Sequence, residues 1–87
     1  MDHNSAGVYR NLCGAYGLLE RYKLAEGYCN QAIELDEKDE MAYLNRGLIL
    51  YLTNNLKDAC SDWRKVSSFL RIDRVRKRVL DLIKDNC

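Results

Sequence analysis

The fold is decided by a stretch of the chain that occurs twice in related form: residues 9–25 read YRNLCGAYGLLERYKLA, and residues 43–59 read YLNRGLILYLTNNLKDA. When Tyr9 is aligned with Tyr43, these stretches and their flanks share six identities, at Tyr9/Tyr43, Asn11/Asn45, Leu18/Leu52, Lys23/Lys57, Ala25/Ala59 and Asp39/Asp73. Ordinary composition would give about two by chance. The chain is therefore predicted to contain an internal repeat with this period.

Each repeat carries two helical patterns separated by a turn. In the first unit, apolar residues recur at the spacing of one helix face as far as Leu19, Glu20 and Arg21 interrupt them, and a second stripe ends at Asp36. The second unit copies this pattern, with a turn at residues 53–55 in which Asn55 is able to cap the next helix. Helix starts are predicted at three residues of N-cap type with the same period, namely Ser5, Asp39 and Asp73.

The positions of large and small residues follow a known pattern. In the first unit the slots hold Tyr9, Leu12, Cys13, Tyr16, Ala25 and Cys29, and in the second they hold Tyr43, Arg46, Gly47, Leu50, Ala59 and Trp63. With these residues the chain resembles the tetratricopeptide repeat family, whose unit is a helix pair of about 34 residues with the pattern W-x2-L-G-x2-Y, A-x3-F and a final P. Arg46 replaces a packing leucine, and Glu37 and Arg71 replace the proline, so the corner between units is expected to be weakened.

The predicted fold class is all-α: two helix-turn-helix repeats of about 34 residues each, stacked as a short right-handed α-solenoid, with a C-terminal capping helix. Residues 1–5 are expected to form a flexible tail, residues 6–39 and 40–73 the two repeats, and residues 74–87 the cap. The cap's apolar face is predicted to consist of Ile72, Val75, Val79, Leu82 and Ile83. Close approach within each hairpin is expected where Cys13 and Gly47 face Ala25 and Ala59.

The resemblance implies that the first helix of each unit lines a concave surface. On the third helix a second apolar stripe, Met41, Leu44, Leu48 and Tyr51, adds to the packing face. On the first helix the matching stripe holds three glycines, which cost about 1 kcal/mol each relative to alanine inside a helix. We therefore predict a groove that binds an amphipathic helix or an apolar peptide, lined by Gly7, Arg10, Asn11, Gly14, Gly17, Met41, Leu44, Asn45, Leu48, Tyr51 and Leu52.

Two alternatives use the same residues differently. In the first alternative, the apolar stripe is an interface between copies of the chain, or, if the sequence is part of a longer array, it is covered by a further repeat. The closing segment, residues 71–84, holds six cations against two carboxylates and could contact nucleic acid or an acidic partner. It offers no aromatic side chain for reading bases, so a solvated face is the favoured interpretation.

Composition excludes several classes of function. Fourteen Lys and Arg against 13 Asp and Glu give a net charge of +1, which provides no global field for nucleic acid or anionic membranes. The longest apolar run, residues 48–52, is far too short to span a membrane, and the N-terminus has no apolar signal core. No compartment is assigned, and a cytoplasmic location is the default expectation.

Catalysis, cofactors and metals are not expected. The single histidine, His3, lies in the predicted tail, and no second candidate base accompanies a nucleophile. Cys13, Cys29, Cys60 and Cys87 form no CxxC pair, so a zinc site is not predicted. Free cysteine usually behaves as a small buried hydrophobe, so the first three are expected to be buried thiols and Cys87 to be exposed.

Overall fold

The computed structural model describes residues 5–71 and 73–87, and it folds these into α-helices joined by short turns. The helices are α1 (Ser5–Leu18), α2 (Tyr22–Leu35), α3 (Glu40–Leu52), α4 (Leu56–Ser67) and α5 (Asp73–Asn86). Helices α1 and α2 form one hairpin, α3 and α4 form a second, and α5 packs against α4. The predicted all-α fold class is confirmed.

The two hairpins turn in the same way, one repeat length apart. At the end of α1, Arg21 N donates to Tyr16 O at 2.9 Å and Glu20 N donates to Gly17 O at 3.0 Å. At the end of α3, Asn55 N donates to Leu50 O at 2.7 Å and Asn54 N donates to Tyr51 O at 3.2 Å, which are the same bonds in the second repeat. Glu20 and Asn54 both adopt left-handed backbone conformations, with φ of 62° and 67°. The repeat in the sequence is thus also a repeat in backbone geometry.

The predicted helix starts agree with the structure, although they are capped differently. The Asp39 side chain accepts a hydrogen bond from Ala42 N at 3.1 Å and caps α3. Ser5 and Asp73 are the first residues of α1 and α5. Asn55 precedes α4, but its side chain does not cap the helix. Its amide nitrogen donates to Thr53 Oγ1 at 3.1 Å.

The core consists of two clusters that meet at the junction of the hairpins. The first hairpin contributes Cys13, Ala25 and Cys29, and Ile49 from α3 completes this cluster. Because Ile49 belongs to the second hairpin, the two hairpins are packed against each other. The larger cluster joins the second hairpin to the closing helix and comprises Tyr43, Leu50, Ala59, Cys60, Trp63, Val66, Leu70 and Val79.

Gly47 lies directly against Trp63, a contact that the sequence analysis did not predict. A Cβ atom on Gly47 would lie 2.5 Å from Trp63 Nε1 and 2.7 Å from Trp63 Cδ1. The sequence pattern predicts that Gly47 faces Ala59, and the atoms nearest to a β-carbon on Gly47 belong to the indole of Trp63, which is completely buried. Glycine is therefore required here because a β-carbon would overlap the ring.

The closing helix α5 packs through the predicted face. Val79 is completely buried, while Val75, Leu82 and Ile83 are half-buried against the larger cluster. Ile72, which was predicted to share this face, lies outside the described residues, as does His3 with residues 1, 2 and 4 of the predicted tail. In the described part of the chain, no helix combines the length and apolar character needed to cross a membrane.

The expectation of free thiols was wrong. Cys13 of α1 is bonded to Cys29 of α2, with Cα atoms 5.2 Å apart. Cys60 of α4 is bonded to Cys87, with Cα atoms 6.0 Å apart. Cys13, Cys29 and Cys60 are buried and Cys87 is exposed, as predicted, but burial alone does not reveal that the partners converge.

Candidate functional site

Helices α1 and α3 lie side by side, and two glycines of α1, Gly14 and Gly17, face α3. A Cβ atom on Gly14 would lie 3.4 Å from Asn45 Nδ2, and one on Gly17 would lie 3.7 Å from Ile49 Cδ1. These separations allow ordinary contact, so glycine is not sterically required at either position. Because Gly14 and Gly17 have no side chains, the surface of α1 is recessed at this junction, beside the larger side chains of α3.

This junction forms an apolar groove of about 170 Å³. Three leucines on its walls remain open to solvent: Leu18 is 87% exposed, Leu48 is 38% exposed and Leu52 is 57% exposed. A helix face that leaves leucines exposed in this way is typical of a surface that contacts another molecule. The groove is lined by Cys13, Gly14, Gly17, Leu18, Asn45, Leu48, Ile49 and Leu52.

Five of the predicted groove residues therefore lie together: Gly14, Gly17, Asn45, Leu48 and Leu52. Leu18 and Ile49 line the groove although sequence reasoning did not include them. For Leu18 a signal was available, because it matches Leu52 in the internal repeat. Ile49 gave no such signal, since it serves both the groove and the buried junction between hairpins.

The other predicted residues lie elsewhere on α1 and α3. Leu44 is half-buried against the larger core cluster. The ring of Tyr51 lies 5.9 Å from that of Trp63 at the centroids. Met41 and Asn11 are exposed, and Gly7 lies beside the side chain of Arg10.

Arg10 has a partner within the protein. Its Nη1 atom lies 3.4 Å from Oδ2 of Asp39, the buried residue that caps α3. Arg10 thus links the first helix of one hairpin to the start of the other.

Asn45 is the polar group of the groove. It lies on the apolar wall beside Leu48, and no charged side chain is among the lining residues. Its amide makes no hydrogen bond to the described part of the chain. It therefore retains both donor and acceptor capacity for the backbone of a segment bound in the groove.

On the other side of α3, Arg46 joins three helices. It donates to both carboxylate oxygens of Asp62, at 2.8 and 2.7 Å, and to Oδ1 of Asn30 at 2.9 Å. The hydrogen bond to Asp62 raises the pKa of Arg46, against the opposing effect of burial, so the guanidinium remains charged. The expectation that Arg46 weakens the inter-unit corner was wrong in this respect, because it ties α3 to α2 and α4.

The closing helix presents a basic surface. Arg74, Arg76, Lys77 and Arg78 are exposed in the first two turns of α5, and none forms an ion pair within residues 5–71 and 73–87. Cations near a helix N-terminus oppose the helix dipole. Arg71, just before α5, makes an exposed contact with Glu40 at 3.4 Å.

Across the described ranges, no group of three or more His, Cys, Asp or Glu side chains is placed to hold a metal ion. The thiols are consumed in disulfides, so none in the described chain is free to act as a nucleophile. The apolar groove between α1 and α3 is the candidate site for contact with another molecule.

Comparison with known proteins gives one further observation. The chain is similar to a segment of RNA polymerase II-associated protein 3 from Mus musculus. The two are 38% identical over 56 residues, which is 64% of this chain and 8% of the mouse protein. No protein-family model matches the chain. No solved structure matches it either.

This similarity concerns a small part of the mouse protein. The matched segment spans about a twelfth of its length, since 8% of the mouse protein is covered. It therefore supports a shared sequence segment and says nothing about the rest of that protein. Together with the repeated hairpins, it is in keeping with a protein-interaction module.

Proposed function

We propose that this chain is a protein-interaction module built from two tetratricopeptide-like hairpins, and that the groove between α1 and α3 binds an amphipathic helix of a protein partner. The observation that carries the proposal is the groove itself, in which exposed leucines flank a low glycine surface. The similarity to a polymerase-associated protein supports a role in association with other proteins. The module has no catalytic role in this proposal.

The groove's chemistry defines the partner. Its walls offer Leu18, Leu48 and Leu52 for contact with leucine-type anchors, and burial of a leucine side chain contributes about 1.5–3 kcal/mol. A partner helix with apolar residues at i, i+3 and i+7 would present one continuous stripe to this surface. Asn45 would hydrogen-bond a polar group at the edge of that stripe. No charged anchor is required, so binding should depend little on salt.

A synthetic amphipathic helix tests the groove. The probe is a fluorescent peptide with leucines at i, i+3, i+7 and i+10, compared by anisotropy with a scrambled peptide of the same composition. Leu48→Glu should weaken binding at least about tenfold, because it places a charge in the apolar wall. Leu80→Glu is the matched control, since Leu80 is also exposed but lies on α5.

Circular dichroism of both variants separates binding from folding. Helicity should be preserved in Leu48→Glu, because Leu48 is already partly exposed. Unfolding of this variant would show that Leu48 belongs to the structural core instead. Equal binding by Leu48→Glu and Leu80→Glu would exclude the groove as the site.

Self-association is a second candidate function, and the exposed leucines favour it. If copies of the chain bury the same surface against each other, sedimentation velocity will show a mass that rises with concentration. The Leu48→Glu change should then return the protein to a monomer. A monomer at all concentrations would leave the groove to a different protein.

An acidic partner on α5 is a third candidate, favoured by the four exposed cations in the first two turns of this helix, which form no ion pair in the described chain. Binding there should weaken steeply as salt rises. Charge reversal at Arg74 and Arg78 should remove it, whereas Leu48→Glu should not. Because α5 has no aromatic side chain to stack on bases, an acidic protein segment is favoured over nucleic acid.

A further inference from the structure

The two disulfides differ in their exposure to solvent. Cys13 and Cys29 are both 0% exposed, within the core cluster of the first hairpin. Cys60 is nearly buried at 6%, but its partner Cys87 is exposed. A thiol in solution can therefore approach the Cys60–Cys87 bridge without unfolding the protein, whereas the Cys13–Cys29 bridge requires the first hairpin to open.

The surroundings of the exposed bridge favour exchange. A cleft of about 340 Å³ lies beside both sulfur-bearing residues, and it is lined by Leu56, Lys57, Cys60, Arg64, Asn86 and Cys87. Two of these residues, Lys57 and Arg64, are cationic, and the main-chain carboxylate of Cys87, the last residue of the printed sequence, offsets one of the two charges. Neighbouring cations stabilise a thiolate, which is both the attacking and the leaving species in exchange.

The Cys60–Cys87 bridge also restrains α5, the helix with the least packing against the rest of the described chain. In the described chain α5 packs chiefly against α4, and Val79 is its one fully buried residue. Val75, Leu82 and Ile83 are only half-buried. The bridge joins the residue that follows α5 to the middle of α4, so it restrains the end of α5 where apolar burial is incomplete.

We propose that the Cys60–Cys87 disulfide is a thiol–disulfide exchange site for a dithiol reductant, and that its reduction releases the C-terminal half of α5 from α4. The reductant's thiolate attacks Sγ of Cys87, which breaks the protein's S–S bond and releases the thiolate of Cys60. In the mixed disulfide, the reductant's first sulfur is bonded to Sγ of Cys87. The reductant's second thiol then attacks that first sulfur and releases the thiolate of Cys87. The dithiol is thereby oxidised to a disulfide by loss of two electrons and two protons, and the two cysteines gain them. This site is independent of the α1–α3 groove.

Graded reduction tests the proposal on the intact protein. Oxidised protein is treated with dithiothreitol, quenched by alkylation at successive times, and mapped by peptide mass spectrometry. The Cys60–Cys87 bridge should open at least about tenfold faster than the Cys13–Cys29 bridge, which serves as the internal control. Equal rates, or earlier opening of the inner bridge, would overturn the assignment of the exchange site.

Amide hydrogen exchange tests the consequence for α5. Once the outer bridge alone is open, amides of residues 80–86 should lose protection while those of α1 and α2 keep it. The double variant Cys60→Ser and Cys87→Ser should show the same pattern without reductant, and Cys13→Ser with Cys29→Ser should not. Unchanged protection of α5 after the outer bridge has opened would refute the release.

Discussion

Gly47 shows how a single missing side chain sets the distance between two helices. The indole of Trp63 fills the position that a β-carbon of Gly47 would occupy. Trp63 is completely buried, so it has no room to move away. The tight approach of α3 and α4 therefore depends on glycine at this position.

Gly47→Ala should lower the free energy of unfolding by about 1–3 kcal/mol, the usual cost of overpacking a filled core. Urea denaturation followed by circular dichroism measures this change. Gly27→Ala is the matched control, because nothing lies within 4 Å of the added carbon on α2. That variant should be stabilised by up to about 1 kcal/mol through helix propensity alone. A neutral effect of Gly47→Ala would contradict the packing argument.

Arg46 is the residue at which the repeat pattern and the structure differ most. Replacing it by leucine restores the family pattern but leaves the carboxylate of Asp62, whose side chain is 7% exposed, without its cationic partner. We expect Arg46→Leu to destabilise the protein by about 2–3 kcal/mol, since an unpaired buried charge is costly. The double variant Arg46→Leu and Asp62→Leu should recover most of this loss in the same urea assay.

The pH dependence of this pair has a definite sign. Asp62 raises the pKa of Arg46 in the folded state. The stabilisation that Arg46 gains from this raised pKa is therefore fully present below the ordinary pKa of arginine. It is lost only as the pH rises through the raised value, at strongly alkaline pH. Between pH 6 and about 9, the difference in stability between wild type and Arg46→Leu should therefore stay constant.

At the scale of elements, the two inter-helix turns repeat a strained backbone position with different residues. Asn54 is a residue type that tolerates φ near 67°, whereas Glu20 holds a φ of 62° at the equivalent place in the first hairpin. The left-handed conformation costs a residue with a β-carbon about 1–2 kcal/mol. The first turn is thus the less favourable of the two.

Glu20→Gly should raise the free energy of unfolding by about 1 kcal/mol, because glycine adopts this conformation without the steric cost. Thermal denaturation would show a higher midpoint. Gln31→Gly, at an exposed position inside α2, is the control and should be destabilised by about the same amount. A loss of stability in both variants would show that Glu20 has a role that the backbone argument omits.

At the scale of the whole molecule, the disulfides supplement a thin core. A chain of 87 residues buries a limited fraction of its surface, and each hairpin leaves apolar groups exposed. The inner bridge joins residues 16 positions apart and ties the two helices of the first hairpin together. That hairpin has the smaller core cluster, so it gains most from a covalent restraint.

Replacing both Cys13 and Cys29 by alanine should lower the free energy of unfolding by about 3 kcal/mol, the entropic estimate for a loop of this size. The measurement is urea denaturation of both proteins without reductant. An unchanged midpoint in the double variant would show that the bridge adds no stability beyond that supplied by side-chain packing.

The sequence by itself determined the helices, their turns and their repetition, because each depends on residues that are close along the chain. Apolar spacing located the five helices found in the described residues, and the internal repeat predicted the recurring turn that the hydrogen bonds display. Five groove residues followed from the spacing along each helix together with the family resemblance, which implied that the first helix of each unit lines the concave surface.

Only the tertiary structure decided which distant side chains meet. The pairing of Cys60 with Cys87, the contact of Arg46 with Asp62 and the placement of Trp63 against Gly47 join different helices. Each depends on the separation and rotation of two packed helices, and many sequences with the same periodicity are compatible with other rotations. The groove is likewise a property of the junction, because its depth is set by how closely α1 approaches α3.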